Sequence, residues 1–291
     1  MSALRVAIVQ QSCVADRERN LAMSVRSITE AASLGARLVL LQELHGLPYF
    51  CQVEQARYFD EAESIPGPTS DLLARTAADL KIVIVGSVFE RRAPGLYHNT
   101  ALVFDRDGRL AGRYRKMHIP DDPGFHEKYY FAPGDQGFVP IDTAVGRLGV
   151  LVCWDQWYPE AARLMALAGA ELLLYPTAIG WDPRDEAAEK TRQLDSWQII
   201  QRAHAVANGL PVLIANRIGL ERSEGAPGIA FWGHSFIAGP QGELLAEAGD
   251  GPAVLIADID QEASERVRRV WPFLRDRRID AYGDLVRRFL A

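Results

Sequence analysis

Cysteine is scarce in this sequence, with only Cys13, Cys51 and Cys153 among 291 residues. An odd and widely spaced set does not form the paired pattern of a disulfide framework. The sequence contains no CxxC motif and no cluster of cysteine with histidine, so no zinc site is predicted. Disulfide-stapled and zinc-stapled proteins are thereby excluded, and each thiol is left free for other chemistry.

Long apolar runs and an excess of basic residues are also missing. The formal net charge is −6, which argues against general nucleic-acid binding and against binding to an anionic membrane surface. No apolar run reaches membrane-spanning length. The N-terminus, MSALRVAIVQQ, lacks a long apolar core behind a basic start and is typical of a first strand, not of a signal peptide. We expect a cytoplasmic protein with no nucleic-acid or membrane partner.

Strand-like and helix-like patterns alternate along the chain. Short β-branched or apolar runs predict strands at Arg5–Val9, Arg37–Leu41, Ile82–Val88, Ala101–Phe104, Gly149–Val152, Leu172–Tyr175, Val212–Ala215, His234–Ala238 and Ala253–Asp258. Apolar residues at helical spacing predict helices at Asn20–Ser33, Ser70–Leu80, Tyr158–Ala168 and Asp195–Asn208. This alternation predicts an α/β fold.

Two segments instead have the pattern of β-hairpins. Asn99–Leu110 turns at Asp105–Gly108, and His234–Leu245 turns at Gly239–Gly242. Glycine at the end of each turn can take the positive φ that such a turn needs. Since hairpins pair their strands antiparallel, the predicted sheets are mixed.

The length of the chain fits one α/β domain, predicted over residues 1–291. We find no internal repeat, low-complexity segment or linker. The stretch Gln261–Ala291 differs in composition, because it is rich in arginine and carries scattered aromatic residues. It is predicted to be a C-terminal arm at the periphery.

Cys153 follows the apolar run Leu148–Val152 and precedes a helix whose first turn contains Pro159 and Glu160. A side chain at a strand-to-helix turn lies at the carboxyl edge of a sheet, where α/β proteins place their sites. A helix N-terminus would also lower the pKa of the thiol. A buried structural cysteine is the alternative, and position alone does not decide between them.

Glu43 and Lys116 are two further candidates for a reaction. Glu43 directly follows an apolar strand, where a carboxylate could serve as a general base for a thiol. Lys116 could stabilise an oxyanion. Taken singly, a solvated loop carboxylate and a surface lysine are the simpler interpretations. His118 could also act as a base, but its context is poorer than that of Glu43, and we assign it a structural role.

The order of a glutamate, a lysine and a cysteine, each at the end of its own strand, resembles the carbon–nitrogen hydrolase (nitrilase) superfamily. The local contexts resemble it too, across essentially the whole chain. The matching segments are Leu41–Glu43 for the glutamate, Tyr114–His118 for the lysine, Cys153–Glu160 for the cysteine and His126–Asp135 for a second active-site glutamate, here Glu127.

This resemblance implies a four-layer α-β-β-α sandwich with mixed sheets. It implies that Glu43 takes the proton of Cys153, which attacks a carbonyl carbon. Lys116 and the backbone N–H of Trp154 would hold the oxyanion, and Glu127 would orient Lys116 and the substrate amide. No metal or organic cofactor is implied. The resemblance also implies paired subunits, so we expect a homo-oligomer, at least a dimer, with the C-terminal arm in its contacts.

The substrate is a finer question. Related branches that hydrolyse acids place an arginine after the nucleophile to bind a carboxylate, whereas this chain has Gln156 and Trp157 there. The segments Cys153–Trp157 and Tyr175–Gly180 resemble the N-carbamoylputrescine amidases. The resemblance therefore implies a small N-carbamoyl amine as substrate, cleaved at its ureido C–N bond.

The distal ammonium of such a substrate needs a carboxylate or aromatic faces. The acids available are Asp121, Asp122, Asp155 and Asp182, and the aromatic walls are Trp154, Trp157, Trp181 and Tyr130. We rank Asp182 above Asp155, since Asp182 follows the strand expected beside the nucleophile. Trp181 would cover the methylene chain.

Two alternatives remain at this point. One is a simple amidase or a carbamoyl-β-alanine hydrolase with the same three residues. The other is a catalytically silent binding protein on the same fold. The presence of all three residue types argues against the silent protein.

Overall fold

A computed structural model describes residues 3–290, so the outermost residues of the predicted domain and the last residue of the predicted arm lie outside the described residues. The strands are β1 Leu4–Gln10, β2 Leu38–Leu40, β3 Val83–Ala93, β4 Leu96–Phe104, β5 Leu110–Arg115, β6 Ile141–Thr143, β7 Gly146–Val150, β8 Leu172–Pro176, β9 Gly180–Trp181, β10 Val212–Ala215, β11 Ile218–Glu221, β12 Ile229–Trp232, β13 Phe236–Ala238, β14 Leu244–Glu247 and β15 Ala253–Ile259. The α-helices are α1 Arg17–Ser33, α2 Pro68–Leu80, α3 Glu127–Tyr130, α4 Pro159–Leu167, α5 Ala187–Asn208 and α6 Ala263–Val270.

Two six-stranded mixed sheets form the centre of the fold. The first has the order β15-β1-β2-β3-β4-β5 and the second has the order β14-β13-β10-β8-β7-β6. β1, β2 and β3 run parallel in the first sheet, as do β7, β8 and β10 in the second. Antiparallel strands flank both parallel sets.

Alternation along the strands explains why the two sheets pack face to face. In β1, Leu4, Val6 and Ile8 belong to the apolar cluster between the sheets. Ala7 and Val9 point to the opposite side and belong to a separate cluster that α1 and α2 complete. Since side chains alternate between the two faces of a strand, a continuous run of apolar residues packs against the other sheet on one face and against the helices on the other.

The outer face of the second sheet is covered by α4 and α5. Met165 of α4 and Trp197 of α5 are fully buried in the main core cluster. Helices therefore lie outside both sheets, and the predicted four-layer α-β-β-α sandwich is confirmed. The two predicted hairpins are found as β4–β5 and β13–β14, with Gly108 and Gly242 at positive φ in their turns.

A third sheet of three short strands, in the order β11-β12-β9, was not predicted. Its strands have two to four residues. In β11 the two central residues are exposed and the outer two are buried, so no alternation marks the strand. The predicted strand Gly149–Val152 also differs, since β7 ends at Val150 and the chain leaves the sheet before Cys153.

The segment after Asp260 continues as α6 and then as short 3-10 turns. It exposes an unusual number of large apolar residues: Val270, Trp271, Phe273, Ile279, Tyr282, Leu285, Val286, Phe289 and Leu290. Within residues 3–290, no helix is both long and apolar enough to cross a bilayer.

Candidate active site

The predicted catalytic side chains come from four separate elements and meet at one place. Glu43 lies three residues after β2, Lys116 directly follows β5 and Cys153 lies three residues after β7. Glu127 begins the short helix α3. All four side chains are buried. Because buried charges are costly unless they are paired, the site depends on compensation between these groups.

Lys116 lies between two carboxylates. Its Nζ donates to Glu43 Oε1 at 2.8 Å and to Glu127 Oε2 at 2.7 Å. Burial alone would lower the pKa of Lys116, but Glu127 and Glu43 outweigh burial and raise its pKa well above the ordinary value. The side chain therefore stays a cation at neutral pH, as an oxyanion partner must.

Glu43 is held through one of its two carboxylate oxygens. Oε1 accepts from Lys116 and also from Asn99 Nδ2, at 2.6 Å. Oε2 is buried and has no hydrogen-bond partner among the described residues. A fixed carboxylate with one unoccupied oxygen is well suited to accept a proton from a neighbouring group.

Glu127 is held at both oxygens. Tyr49 donates its hydroxyl to Oε1 at 2.7 Å, and Lys116 donates to Oε2. Burial raises the pKa of Glu127 to about 7, with Lys116 opposing the rise and Glu43 adding to it. Its fixed contacts fit a group that orients Lys116.

Cys153 stands at a sharp turn between β7 and α4. Its φ of 44° lies in the left-handed region, which is strained for a residue other than glycine. The turn is held by Asp155, whose Oδ2 accepts from Val152 N at 2.9 Å. Strain of this kind is typical of functional sites, where it presents a side chain that a regular strand would not.

Asp155 is fully buried and belongs to the support of this turn. Its carboxylate accepts from the hydroxyl of Tyr114 at 2.9 Å and from the backbone N–H of His118 at 3.0 Å. His118 Nδ1 lies 2.7 Å from the same carboxylate, and its ring stacks on Tyr158. These contacts agree with the structural role assigned to His118, and they give Asp155 a structural role as well.

The expected lowering of the pKa of the Cys153 thiol is wrong. Burial and, next, the charge of Glu43 raise this pKa well above the ordinary value, although Lys116 opposes them. The residue opens a five-residue 3-10 turn, Cys153–Trp157, and α4 begins only at Pro159. The thiol therefore does not lie in the first turn of α4, and Cys153 rests as a neutral thiol.

An open cleft of about 660 Å³ is lined by Trp154 and Ile179, the chain neighbours of Cys153 and of Ala178, whose carbonyl oxygen lies 3.8 Å from the Cys153 sulfur. Its aromatic walls are Phe125, Trp154, Trp157 and Trp232, so Trp154 and Trp157 line it as predicted. Its charged lining comprises Asp122, Asp182, Asp185, Glu189 and Arg192. Four carboxylates against one guanidinium make the cleft attractive to a cation.

Two of the predicted substrate-binding residues lie elsewhere. Tyr130 is buried in an aromatic cluster with Phe50 and Phe89, and its hydroxyl donates to the carbonyl of Val53. The ring of Trp181 packs against Trp232, and its indole donates to the carbonyl of Lys190. Tyr130 is a core residue, and Trp181 supports the wall of the cleft from behind; neither prediction of direct contact is supported.

Asp182 does line the cleft, but its carboxylate is only partly buried. Its side chain is 32% exposed and forms an ion pair with Arg184 at 2.6 Å. The hydrogen bonds of Arg184 lower the pKa of Asp182 to about 2, so the carboxylate stays charged. Arg184 therefore already compensates part of the negative charge of Asp182.

Three residues of the site were not found from the sequence: Tyr49, Asn99 and Arg217. Asn99 had a detectable signal, since a polar residue on a strand with buried neighbours has to be paired. Tyr49 lies in a loop rich in aromatic residues, where nothing distinguishes it from its neighbours. Arg217 follows β10 and is fully buried, although arginines at such positions are usually exposed.

One group of side chains could hold a metal ion, at the rim of a neighbouring cavity. Glu54, Asp121 and His126 bring three ligand atoms within 4.8 Å of one another. The two carboxylates are exposed, and acidic groups often lie together on a surface without an ion. We assign this group no part in the chemistry.

Comparison with known proteins identifies the family. The family model described as carbon-nitrogen hydrolase matches residues 5–269. An N-carbamoylputrescine amidase of Solanum lycopersicum is 45% identical over 286 residues, which cover 97% of this chain and 94% of that protein. A citrullinase of Francisella tularensis is 42% identical over 291 residues and is covered completely, with 99% of this chain.

The solved structures agree with the sequence comparison. A crystal structure of a carbon-nitrogen hydrolase from Helicobacter pylori G27 shares 50% sequence identity and a TM-score of 0.96, covering 99% of both chains. The resemblance drawn from the three motifs is thereby confirmed. The chain belongs to the carbon–nitrogen hydrolase family of the nitrilase superfamily, and it is a hydrolase that acts on amide-type bonds.

Proposed function

We propose that the enzyme hydrolyses N-carbamoylputrescine to putrescine, CO2 and ammonia, with Glu43, Lys116 and Cys153 as its catalytic triad. The observation that carries the proposal is the position of Lys116 between two buried carboxylates, one of which keeps an oxygen free. The 45% identical Solanum protein supports the substrate. The silent binding protein is set aside, because the charged groups are arranged as a reaction needs them.

In the proposed mechanism, Glu43 Oε2 takes the proton of the Cys153 thiol as the sulfur attacks the ureido carbon. Lys116 and the N–H of Trp154 stabilise the oxyanion. Glu43 returns the proton to the departing nitrogen, which leaves a thiocarbamate on the sulfur. Glu43 then activates water, and the carbamic acid that is released decomposes to CO2 and the second nitrogen product. The overall products are the same whichever nitrogen departs first.

A small panel of ureido compounds tests the proposal. N-Carbamoylputrescine, citrulline, N-carbamoyl-β-alanine and N-butylurea are each supplied, and ammonia release is measured. N-Carbamoylputrescine should give the highest kcat/KM, since the cleft carries an excess of carboxylates. Preference for N-carbamoyl-β-alanine or for N-butylurea would overturn the proposed substrate but not the proposed triad.

Citrulline is the second candidate substrate. It shares the terminal ureido group, and the citrullinase of Francisella tularensis is 42% identical to this chain. Arg192 in the lining of the cleft offers a partner for the α-carboxylate. If citrulline proves to be the better substrate, the distal group is recognised as an amino acid and not as a simple ammonium.

The resting thiol gives a prediction about pH. Because the pKa of Cys153 is raised, the thiolate fraction at neutral pH is smaller than that of an ordinary cysteine. Iodoacetamide should therefore react through proton transfer to Glu43, and its rate constant should change less than about threefold between pH 6 and 8. When a thiol reacts without a base, its alkylation rate rises about tenfold per pH unit below its pKa.

This rate is measured by mass spectrometry of the alkylated Cys153 peptide in the native protein. Cys13 is buried and donates to the carbonyl of His45, so its labelling gives the background. A tenfold rise per pH unit at Cys153 would contradict the assignment of Glu43 as the base.

Asp182 gives a prediction about substrate charge. Asp182→Asn should raise KM for N-carbamoylputrescine by about twofold to fivefold, the effect of a partly screened charge. The effect is smaller than a buried carboxylate would give, because Asp182 is partly exposed and paired with Arg184. N-Butylurea has no ammonium and is the matched control substrate. An equal loss on both substrates would show that Asp182 shapes the loop.

We also propose a homo-oligomer, at least a dimer, with the C-terminal arm in its contacts. The arm exposes nine large apolar residues, and α4 and α5 expose Leu164, Leu167, Ile199 and Val206. Apolar surface of this extent is typical of an interface. Light scattering at micromolar concentration should give at least twice the monomer mass, and a monomer would contradict the proposal.

A further inference from the structure

The backbone that follows Glu43 adopts an unusual conformation. Leu44 has a φ of 49° and is buried. The left-handed region is unfavourable for a side chain of this kind, so such a conformation persists only where its surroundings impose it. Contacts from outside the segment must therefore hold this backbone in place, and the backbone in turn positions the carboxylate of Glu43.

Arg217 supplies that restraint from the second sheet. Its Nη2 donates to the carbonyl oxygens of Glu43 and Leu44 at 3.0 and 2.9 Å, and its Nη1 donates to that of Leu47 at 2.9 Å. The guanidinium is fully buried and lies over the ring of Phe231. The guanidinium of Arg217 thus holds three backbone carbonyls, namely that of Leu44 itself and one on each side of it in the chain.

Glu221 of β11 completes the arrangement. Its carboxylate pairs with Arg217 Nη1 at 2.8 Å, and it also accepts from the backbone N–H of Tyr49. The hydroxyl of Tyr49 in turn holds Glu127. The Arg217–Glu221 pair therefore contacts both ends of the segment 43–49. At one end lies Glu43, the proposed base, and at the other lies Tyr49, which holds Glu127.

We propose that Arg217 and Glu221 are positioning residues, which place the Glu43 carboxylate against the thiol of Cys153 through the backbone of residues 43–49. The inference rests on the proposed role of Glu43. Neither residue lines the cleft beside Trp154, so we expect both to act on the chemical step and not on substrate binding. Misplacing a catalytic group by about 1 Å can cost about a hundredfold in rate.

Arg217→Lys tests the inference. Lysine keeps the charge beside Glu221, but its single nitrogen cannot reproduce the planar fork that serves three carbonyls. We expect kcat on the best ureido substrate to fall by about tenfold to a hundredfold, with KM changed less than threefold. Alkylation of Cys153 by iodoacetamide should lose its flat pH profile and rise with pH, as that of an unassisted thiol does.

Loss of stability alone has to be separated from loss of positioning. Phe104→Leu shortens a buried side chain of the same outer cluster at the far end of β4, five residues along the chain from Asn99, and provides a control of lowered melting temperature. It should keep kcat and the flat alkylation profile. Glu221→Gln is the second variant if Arg217→Lys does not fold; it keeps the shape but removes the charge, and it should show the same changes at smaller size.

The outcomes separate this inference from the proposed function. If the wild-type enzyme itself lacks the flat alkylation profile, Glu43 is not the base and the proposed function fails. If the wild type has the flat profile and folded Arg217→Lys or Glu221→Gln keeps it with kcat within twofold, the positioning role is overturned. A fall in kcat that only matches that of Phe104→Leu would overturn it as well.

Discussion

Cys153→Ser is expected to lower the rate of ureido hydrolysis by roughly three to six orders of magnitude, the range seen when a catalytic nucleophile is removed. A serine hydroxyl has a far higher pKa than a thiol, and the Glu43 carboxylate is too weak a base to take its proton. The substitution is nearly isosteric, so the turn at positive φ and its contacts with Asp155 should persist. Steady-state ammonia release measures the loss.

Cys13→Ser is the matched control, because Cys13 is also buried and its thiol also donates to a backbone carbonyl. It should keep turnover within about twofold to threefold, the effect of a small local change. A thiocarbamate adduct on Cys153, with the mass of the substrate less that of the departing ammonia or amine, trapped by rapid acid quench of the wild type and missing in Cys153→Ser, would complete the assignment. Near-normal turnover in Cys153→Ser would rule Cys153 out as the nucleophile.

The candidate residues of the site were predictable from their positions at strand ends. Glu43 follows β2 of the first sheet and Cys153 follows β7 of the second, and α/β proteins place functional residues at the carboxyl ends of strands. Packing of the two sheets brings these two strand ends together. The family resemblance then assigned Lys116 and Glu127 their places. The structure brings all four together, with Lys116 within hydrogen-bond distance of both carboxylates.

The remaining parts depend on contacts that no local pattern encodes. Arg217 lies 174 residues after Glu43, and its role depends on how the second sheet packs against the loop of the first. The charge state of Cys153 depends on burial, which a strand-to-helix pattern does not reveal. Asp182 lines the cleft, and its ranking as the partner of an ammonium stays a prediction; its pairing with Arg184 depends on the shape of an exposed loop.

Glu43→Gln is expected to reduce turnover by at least about a thousandfold, since one group serves as the base for the attack and again for the hydrolytic water. The contacts of Glu43 allow this substitution to remove the base while the hydrogen bonds that hold the side chain are kept. A glutamine carbonyl can still accept from Asn99 Nδ2 and Lys116 Nζ, as Oε1 does now. The amide nitrogen then occupies the place of Oε2, the oxygen without a partner, and cannot take a proton.

The size of the loss distinguishes a base from a structural carboxylate. Glu63→Gln provides the comparison, because Glu63 is another mostly buried glutamate, which holds Thr69 and pairs with Arg17 away from the site. It should lose stability but keep kcat. In Glu43→Gln, single-turnover experiments should show slow formation of the thiocarbamate and, once it has formed, equally slow breakdown. Fast formation followed by slow breakdown would mean that another group activates the thiol and that Glu43 acts on water alone.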